Sequence, residues 1–401
     1  MRIDLDRVRA ETPGCRNVVH LNNAGASLPP QPVLDTVIGH LRLEAEIGGY
    51  EAAADRRAAI EGVYDTIARL IGARRKEIAV AENATRAWDM AFYALPLEPG
   101  DRILTATAEY ASNVIAFLQV ARWRGVSVEV VPDDSSGQLS VDALRAMLDE
   151  RVKLIAVNHV PTHNGLVNPA AEIGKVAREA GVTYLLDACQ SVGQMPVDVA
   201  EIGCDLLSAT GRKFLRGPRG TGFLFVSEHL LERLEPPFLD LHSANWTAPD
   251  EFTIRPDARR FESWESSPAT KLGLGAAAEY ALALGLEAIG ERVVALAERL
   301  RERLDALPGV TVHDRGARRC GIVTFSVQGH EAGEQTGLHR ATPDCGRASG
   351  SPDRRAGARG LWGDYKPARR PGNENGPRQF GGLRELNCVT ALLLLRVLLR
   401  G

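Results

Sequence analysis

The stretch DLLSATGRKFLRGPRGTGFLFV places a single lysine, Lys213, between an apolar run and a glycine-rich turn. A lysine amine so placed can condense with an aldehyde to form a Schiff base. Upstream, YLLDACQ carries Asp187 at the end of another apolar run. An unpaired carboxylate is costly to bury there, so the chain delivers an anion that needs a cationic partner. A protonated pyridine ring supplies one. A lysine for the aldehyde and a carboxylate for the ring nitrogen are the two groups that pyridoxal phosphate needs to act as an electron sink. Gln190, one turn on from Asp187, can hydrogen-bond the ring oxygen.

The phosphate of such a cofactor needs donors. ENATRAW places Ala84 and Thr85 at the start of a helix, where backbone N–H groups and the helix dipole favour an anion. Thr210 and Arg212 flank the lysine and can complete the cup. The glycines of RGPRGTG allow a tight turn beside it. Each residue also has a plain structural role open to it. An Asp ending a strand is often a helix cap, TGRK alone is a surface turn, and Arg212, Arg216 and Arg219 can form a solvated basic loop. The functional reading rests on their joint occurrence, in chain order, at the ends of consecutive apolar runs.

The elements that must position these residues alternate. KEIAVAE, DRILTAT, VSVEVVP, KLIAVNHV, TYLLDA, DLLSAT and GTGFLFV read as strands. ATRAWDMAFYAL, ASNVIAFLQVARWRG, SVDALRAMLD and AEIGKVAREAG read as helices between the earlier ones. The pattern predicts an α/β fold with a mostly parallel central sheet covered by helices on both faces. Ligands of such sheets bind beyond the carboxyl ends of the strands. Thr85, Tyr110, Asn158 to Asn164, Asp187 to Gln190 and Thr210 to Lys213 fall there. LNNAGASLPPQPVLDTVIGHL reads as an Asn/Gly turn before an amphipathic helix, and RRAAIEGVYDTIARLIGA as a helix closed by glycine. From Ala269 to Leu307 a long helical stretch leads to GVTVHD and GIVTFSV, two strands of a smaller α+β domain.

The predicted organisation is an N-terminal segment (1–20), a large cofactor-binding domain (21–268), a linker helix with the start of the small domain (269–330), and a tail (331–401). The tail is rich in Arg, Gly and Pro and lacks hydrophobic periodicity. It reads as a lost reading frame or as a naturally flexible segment.

The 401 residues carry a net charge of −3, so no basic face points to nucleic acid. MRIDLDRVRAETPG has no apolar core of a signal peptide, and VTALLLLRVLL is too short to span a bilayer. The six cysteines show no metal or disulfide spacing. Cytoplasmic residence, no metal and no membrane partner are the expectations, with Cys189 and Cys204 as core fillers.

In this order LNNAGAS, ENATRA, NHVPTHNGLVNP, YLLDACQSVGQMPVDV and GCDLLSATGRKFLRGPRGTGFLFV resemble the class V aminotransferases of pyridoxal-phosphate fold type I. That group includes cysteine desulfurases, selenocysteine lyases, isopenicillin N epimerase and the ergothioneine-forming C–S lyase. The likeness runs from about residue 18 to residue 327. It implies a Schiff-base role for Lys213, a pyridine-nitrogen role for Asp187 and a ring-oxygen role for Gln190. It implies phosphate contacts at Ala84, Thr85, Thr210 and Arg212, and places Thr162 and His163 in a loop bordering ring and substrate. Tyr50 in EAEIGGYEAAA, the THNG loop, RKFLRGPRG, and Glu262 and Glu265 in RRFESWES resemble the ergothioneine lyase. A homodimer with its site at the subunit interface is also implied.

Three departures matter. Desulfurases stack a histidine on the ring from an EHHAN-like stretch; here it is EYASN, with Ala111 in place of that histidine and Tyr110 beside it. Arg212 stands where desulfurases usually carry histidine. Neither a nucleophilic cysteine nor a substrate-carboxylate arginine is placed by the motifs, since Cys345 and Cys388 lie in the tail. The expected activity is therefore C–S cleavage of a cysteine-derived amino acid by β-elimination, which needs no cysteine nucleophile. Transamination or epimerisation is the alternative, then persulfide-forming desulfuration, then a folded but inactive relative.

Overall fold

The computed structural model of the chain describes residues 3–329. Seven strands form the central sheet: β1 (Ile78–Ala81), β2 (Arg102–Ala106), β3 (Ser127–Val131), β4 (Val152–Asn158), β5 (Thr183–Asp187), β6 (Leu206–Thr210) and β7 (Gly222–Val226). Their order is β1-β7-β6-β5-β4-β2-β3. The β2–β3, β2–β4, β4–β5 and β5–β6 pairings are parallel, and β7 runs antiparallel to both its neighbours. All seven strands coincide with the apolar runs of the sequence. Their continuous hydrophobicity follows from burial on both faces.

Successive side chains point to opposite faces, and two cores result. Leu104, Ile155, Leu186, Leu207 and Phe225 pack with Ile67 and Ile71 of the helix Arg57–Ile71 on one face. Ile103, Leu154, Leu185, Leu206 and Leu224 pack with Trp88, Phe92 and Phe117 on the other. Trp88 and Phe92 stack at 4.6 Å between ring centroids. The architecture is thus the expected mixed α/β fold with helices on both faces.

The long helical stretch after Ala269 is two helices, Pro268–Leu284 and Leu286–Asp305, bent by 80° at a break. Gly285, at φ +85°, makes the break. Leu274, Ala277, Ala278 and Ala281 of the first helix join the core of the large sheet. The change of packing therefore falls at Gly285 rather than at residue 269. The second helix covers the antiparallel pair β10 (Val310–Val312) and β11 (Phe325–Val327), with Leu304 against Phe325. A hairpin of β8 (Ala244–Ala248) and β9 (Glu251–Ile254), which the sequence reading lacks, lies in the chain between β7 and the helix Pro268–Leu284.

Glu262 has a packing role. Its carboxylate accepts from Val80 N at 2.7 Å, the Tyr64 hydroxyl at 2.9 Å and Lys271 Nζ at 3.3 Å, and it pairs with His242 Nε2 at 3.1 Å. That buried cluster ties β1 to the helices Arg57–Ile71 and Pro268–Leu284. Glu265 is exposed.

One glycine sets the relation between the sheet and the site. A Cβ on Gly222 would lie 2.7 Å from Ala84 N and 2.8 Å from Ala209 O. Both obstacles are backbone, so neither can swing away. Gly222→Ala should lower stability by about 2 kcal/mol or more, measured as a fall in the denaturant midpoint. An unchanged midpoint would refute this account of the close approach.

Candidate active site

The carboxyl ends of β4, β5 and β6 deliver Asn158, Asp187 and Thr210 to one cavity of about 120 Å³. Asp187 is buried at the end of β5, in register with Asn158 on β4. Its Oδ2 accepts from Asn113 Nδ2 at 3.1 Å and its Oδ1 from Cys189 N at 2.9 Å. Asn113 lies in the helix Ala111–Arg124, which follows β2. Three elements therefore fix the carboxylate, and it remains part of the cavity wall.

Lys213 is buried in the segment after β6 and also lines the cavity. Its Nζ lies 5.8 Å from the centroid of the Tyr110 ring. The aromatic face beside the lysine is Tyr110; Ala111 is not among the residues that line the cavity. The lysine segment is held from the N-terminal side. Ser27 N donates to Arg212 O at 2.9 Å, the Arg212 guanidinium bonds Gly25 O, and Gln190 Nε2 donates to Ala24 O at 3.2 Å. The LNNAGAS turn is thus a roof over the lysine loop. Gly193, at φ +89°, makes room for the lysine loop, since a Cβ there would lie 2.3 Å from Leu215 N.

The helix Ala84–Tyr93 begins at the cavity. Asn83 caps it, accepting from Arg86 N at 2.8 Å. First-turn N–H groups have no acceptor within the helix, and Asn83, Ala84 and Thr85 all line the cavity. An anion is favoured there. Thr210 and Arg212 line the same space, so the four phosphate candidates are gathered together. Gln190 Oε1 is buried without a hydrogen-bond partner, so an acceptor stands ready for a ligand donor.

Thr162 lines the cavity, whereas His163 is not among the lining residues. The THNG loop is anchored instead to the small domain: Asn164 N donates to Thr324 Oγ1 at 3.0 Å, and Arg315 N donates to Asn164 O at 2.7 Å. Burial lowers the basicity of the His163 ring. Tyr50 is exposed on the helix Gly49–Asp55, away from the cavity lining. Cys204 is buried in the core. Cys189 is not simply a core filler, because it lines the cavity beside Asp187. Burial, then the charge of Asp187, raises its thiol pKa well above the ordinary value. Among the described residues, no group of three or more His, Cys, Asp or Glu side chains could hold a metal ion.

The sequence reading missed Asn83, Trp88, Asn113 and Glu109. The last two gave no usable signal, since Glu109 precedes the helix that carries Asn113 and the two meet only through their shared hydrogen bond.

These residues fit pyridoxal phosphate: a lysine beside an aromatic face, a fixed carboxylate, a helix N-terminus with hydroxyl and guanidinium donors, and an unpartnered buried acceptor. Fold and site together define a pyridoxal-phosphate enzyme of fold type I. The family model described as Aminotransferase class-V matches residues 19–339, and the chain belongs to that family. A probable cysteine desulfurase of Synechocystis sp. is 32% identical over 327 residues, covering 79% of this chain and 78% of the relative. A cysteine desulfurase of Serratia proteamaculans is 30% identical over 349 residues, covering 83% and 85%. Among solved structures, the apo cysteine desulfurase of Thermococcus onnurineus NA1 superposes with a TM-score of 0.77 at 26% identity, covering 84% of this chain and 86% of that one. The cystine C–S lyase C-DES, in complex with its product cysteine persulfide, gives 0.73 at 25% identity, covering 79% and 86%.

One buried group behind the site predicts a pH response. His159 N donates to Asp187 O at 2.9 Å, and its ring Nδ1 is buried without a partner. Burial, then the Arg318 charge, lowers its pKa from 6.5 to about 4. The folded state therefore holds it neutral, and its contribution is complete above pH 6.5 and lost as pH falls toward 4. Relative to His159→Gln, the wild type should lose about 2 kcal/mol between pH 7 and pH 5. Denaturant melts of both proteins at the two pH values check this; parallel pH dependence would contradict it.

Proposed function

We propose that the protein cleaves the C–S bond of a cysteine-derived amino acid by β-elimination. Bound pyridoxal phosphate supplies the sink for the electrons released at the substrate Cα. Lys213 would hold the cofactor through its aldehyde carbon; once the substrate amine displaces it there, the freed Nζ would take the substrate α-proton. Asp187 would keep the ring nitrogen protonated and Gln190 would meet the ring oxygen. Tyr110 would cover the ring; Ala84, Thr85, Thr210 and Arg212 would hold the phosphate; Thr162 would border the substrate, with His163 next to it in the chain. The Cβ–S bond then breaks and the sulfur leaves as a thiol. The balance is RS–CH2–CH(NH3⁺)–COO⁻ plus water giving RSH, pyruvate and ammonium.

The observation that carries this reading is the pairing of Lys213 with Tyr110 in one cavity with a carboxylate fixed by Asn113 and Cys189 N. The thiol in the cavity supports an elimination without a cysteine nucleophile, because Cys189 is held protonated and the thiolate is the nucleophilic form. Cys345 and Cys388 lie outside the described residues. The names of the relatives favour a second reading, desulfuration of cysteine to alanine through a persulfide.

We also infer a homodimer acting in the cytoplasm. Phe238, Leu241, Trp246, Phe252 and Trp264 are all exposed on and around the β8–β9 hairpin. Arg86, next to Thr85, lies over the Phe238 ring at 4.8 Å. Such a patch near the cavity mouth suits a protein partner. The described cysteines are free thiols, as a reducing compartment requires.

Borohydride reduction of the yellow protein, followed by peptide mapping, should place the pyridoxyl group on Lys213. Lys213→Ala should lose turnover by roughly 10³-fold. Incubation with cystine and S-substituted cysteines, without added keto acid, should give pyruvate and ammonium. Alanine as product would establish desulfuration instead, and a strict need for a keto acid would establish transamination. Sedimentation velocity tests assembly: Trp246→Glu should shift the protein from dimer to monomer, and a wild-type monomer would overturn the dimer.

A further inference from the structure

One carboxyl beside the cavity is used by none of these roles. Glu109 is buried just beyond the end of β2. Four donors converge on it: Tyr110 N at 2.8 Å, Asn113 Nδ2 at 2.9 Å, Thr105 Oγ1 at 3.2 Å and Asn158 N at 3.2 Å. They come from β2, from β4 and from the start of the helix Ala111–Arg124. The same Asn113 Nδ2 also donates to Asp187 Oδ2, so one amide joins the two carboxyl groups. The Tyr110 N–H bond is the second link, because the Tyr110 ring faces Lys213.

A buried carboxyl is expensive, and a methyl-bearing side chain would fill the space at lower cost. Burial, then the charge of Asp187, raises the Glu109 pKa to about 8 in spite of its four donors. A neutral carboxyl can stand beside Asp187 without competing with it for a cation. It still accepts from Tyr110 N and Asn113 Nδ2 at Oε1, while a proton on Oε2 can point to the Thr105 hydroxyl, which turns to accept it.

We propose that Glu109 is a positioning residue: through Asn113 it orients Asp187 toward the cofactor ring nitrogen, and through the Tyr110 N–H it sets the aromatic cover of the ring. The proposal rests on the pyridoxal-phosphate reading of the site.

The test uses the full chain with Glu109→Gln, Asn113→Ala and the double variant. Apoprotein of each is titrated with pyridoxal phosphate, and the visible spectrum of the bound cofactor is followed against pH. Glutamine turns an amide NH2 toward some of the four donors, so Glu109→Gln should weaken cofactor binding about tenfold and move the pH midpoint of the visible band. Asn113→Ala should have an effect of the same order. The double variant should fall short of the sum of the two single effects, because the Asn113 link is shared while the Tyr110 link is lost only with Glu109. Wild-type affinity and spectrum in Glu109→Gln, or fully additive effects, overturn the proposal. If Glu109→Gln does not accumulate as folded protein, Asn113→Ala decides: it cuts the link to Asp187 and leaves the other donors to Glu109, and unchanged cofactor affinity refutes the proposal. A wild-type chain that binds no pyridoxal phosphate overturns the cofactor reading and this one with it. Binding by the wild type and equally by Glu109→Gln overturns this one alone.

Discussion

The structure turns on a carboxylate at the end of a buried strand. TYLLD is apolar until its last residue, and Asp187 arrives where water is largely excluded. A charge there must be held by donors and matched by a cation. Asn113 and Cys189 N supply donors, and the open side toward Lys213 remains for the cation that a protonated cofactor ring brings. The surrounding loops are arranged around that requirement. The helix after β2 carries Asn113, the turn after β5 folds back so that Cys189 N reaches the carboxylate, and the N-terminal turn closes over the lysine segment.

The sheet order explains how distant residues converge. Parallel pairing of β4, β5 and β6 brings their carboxyl ends to one edge. The antiparallel strand β7 runs between β6 and β1, so β1 is parallel to the central strands, and the helix after it starts at the same edge. The N-terminus of that helix and the lysine are therefore neighbours in one cavity wall, although more than a hundred residues separate them in the chain. Gly222 permits this, since the backbone at Asn83 and Ala84 lies where a side chain at position 222 would project.

The smaller part of the molecule enters the site through its loops. The THNG turn follows β4 of the large sheet yet is bonded to Thr324 and Arg315. Arg301, buried in the helix Leu286–Asp305, bonds Asp314 Oδ2 at 2.7 Å and the carbonyls of Cys320 and Ile322 at 2.8 Å. That network makes a firm seat for the loop bordering the cavity. The position of Thr162 in the cavity wall thus depends on both parts of the chain.

Local chemistry alone determined much of this protein. Strands buried on both faces must be continuously apolar, so all seven were legible as runs. The strand-end positions of Asp187, Thr210 and Lys213 were legible with them, because polar residues that interrupt such runs mark the ends where ligands bind. Tertiary structure decided what depends on approach between distant segments. The helix breaks at Gly285 because the first half is held in the core of the large sheet while the second covers another pair of strands. Tyr110, not Ala111, faces the lysine because its N–H is held by Glu109. Cys189, apolar in its sequence context, stands in the cavity wall because its own N–H caps Asp187. Glu109 and Asn113 are ordinary polar residues in the sequence; only the junction of β2, β4 and β5 makes one the neighbour and the other the partner of the central carboxylate.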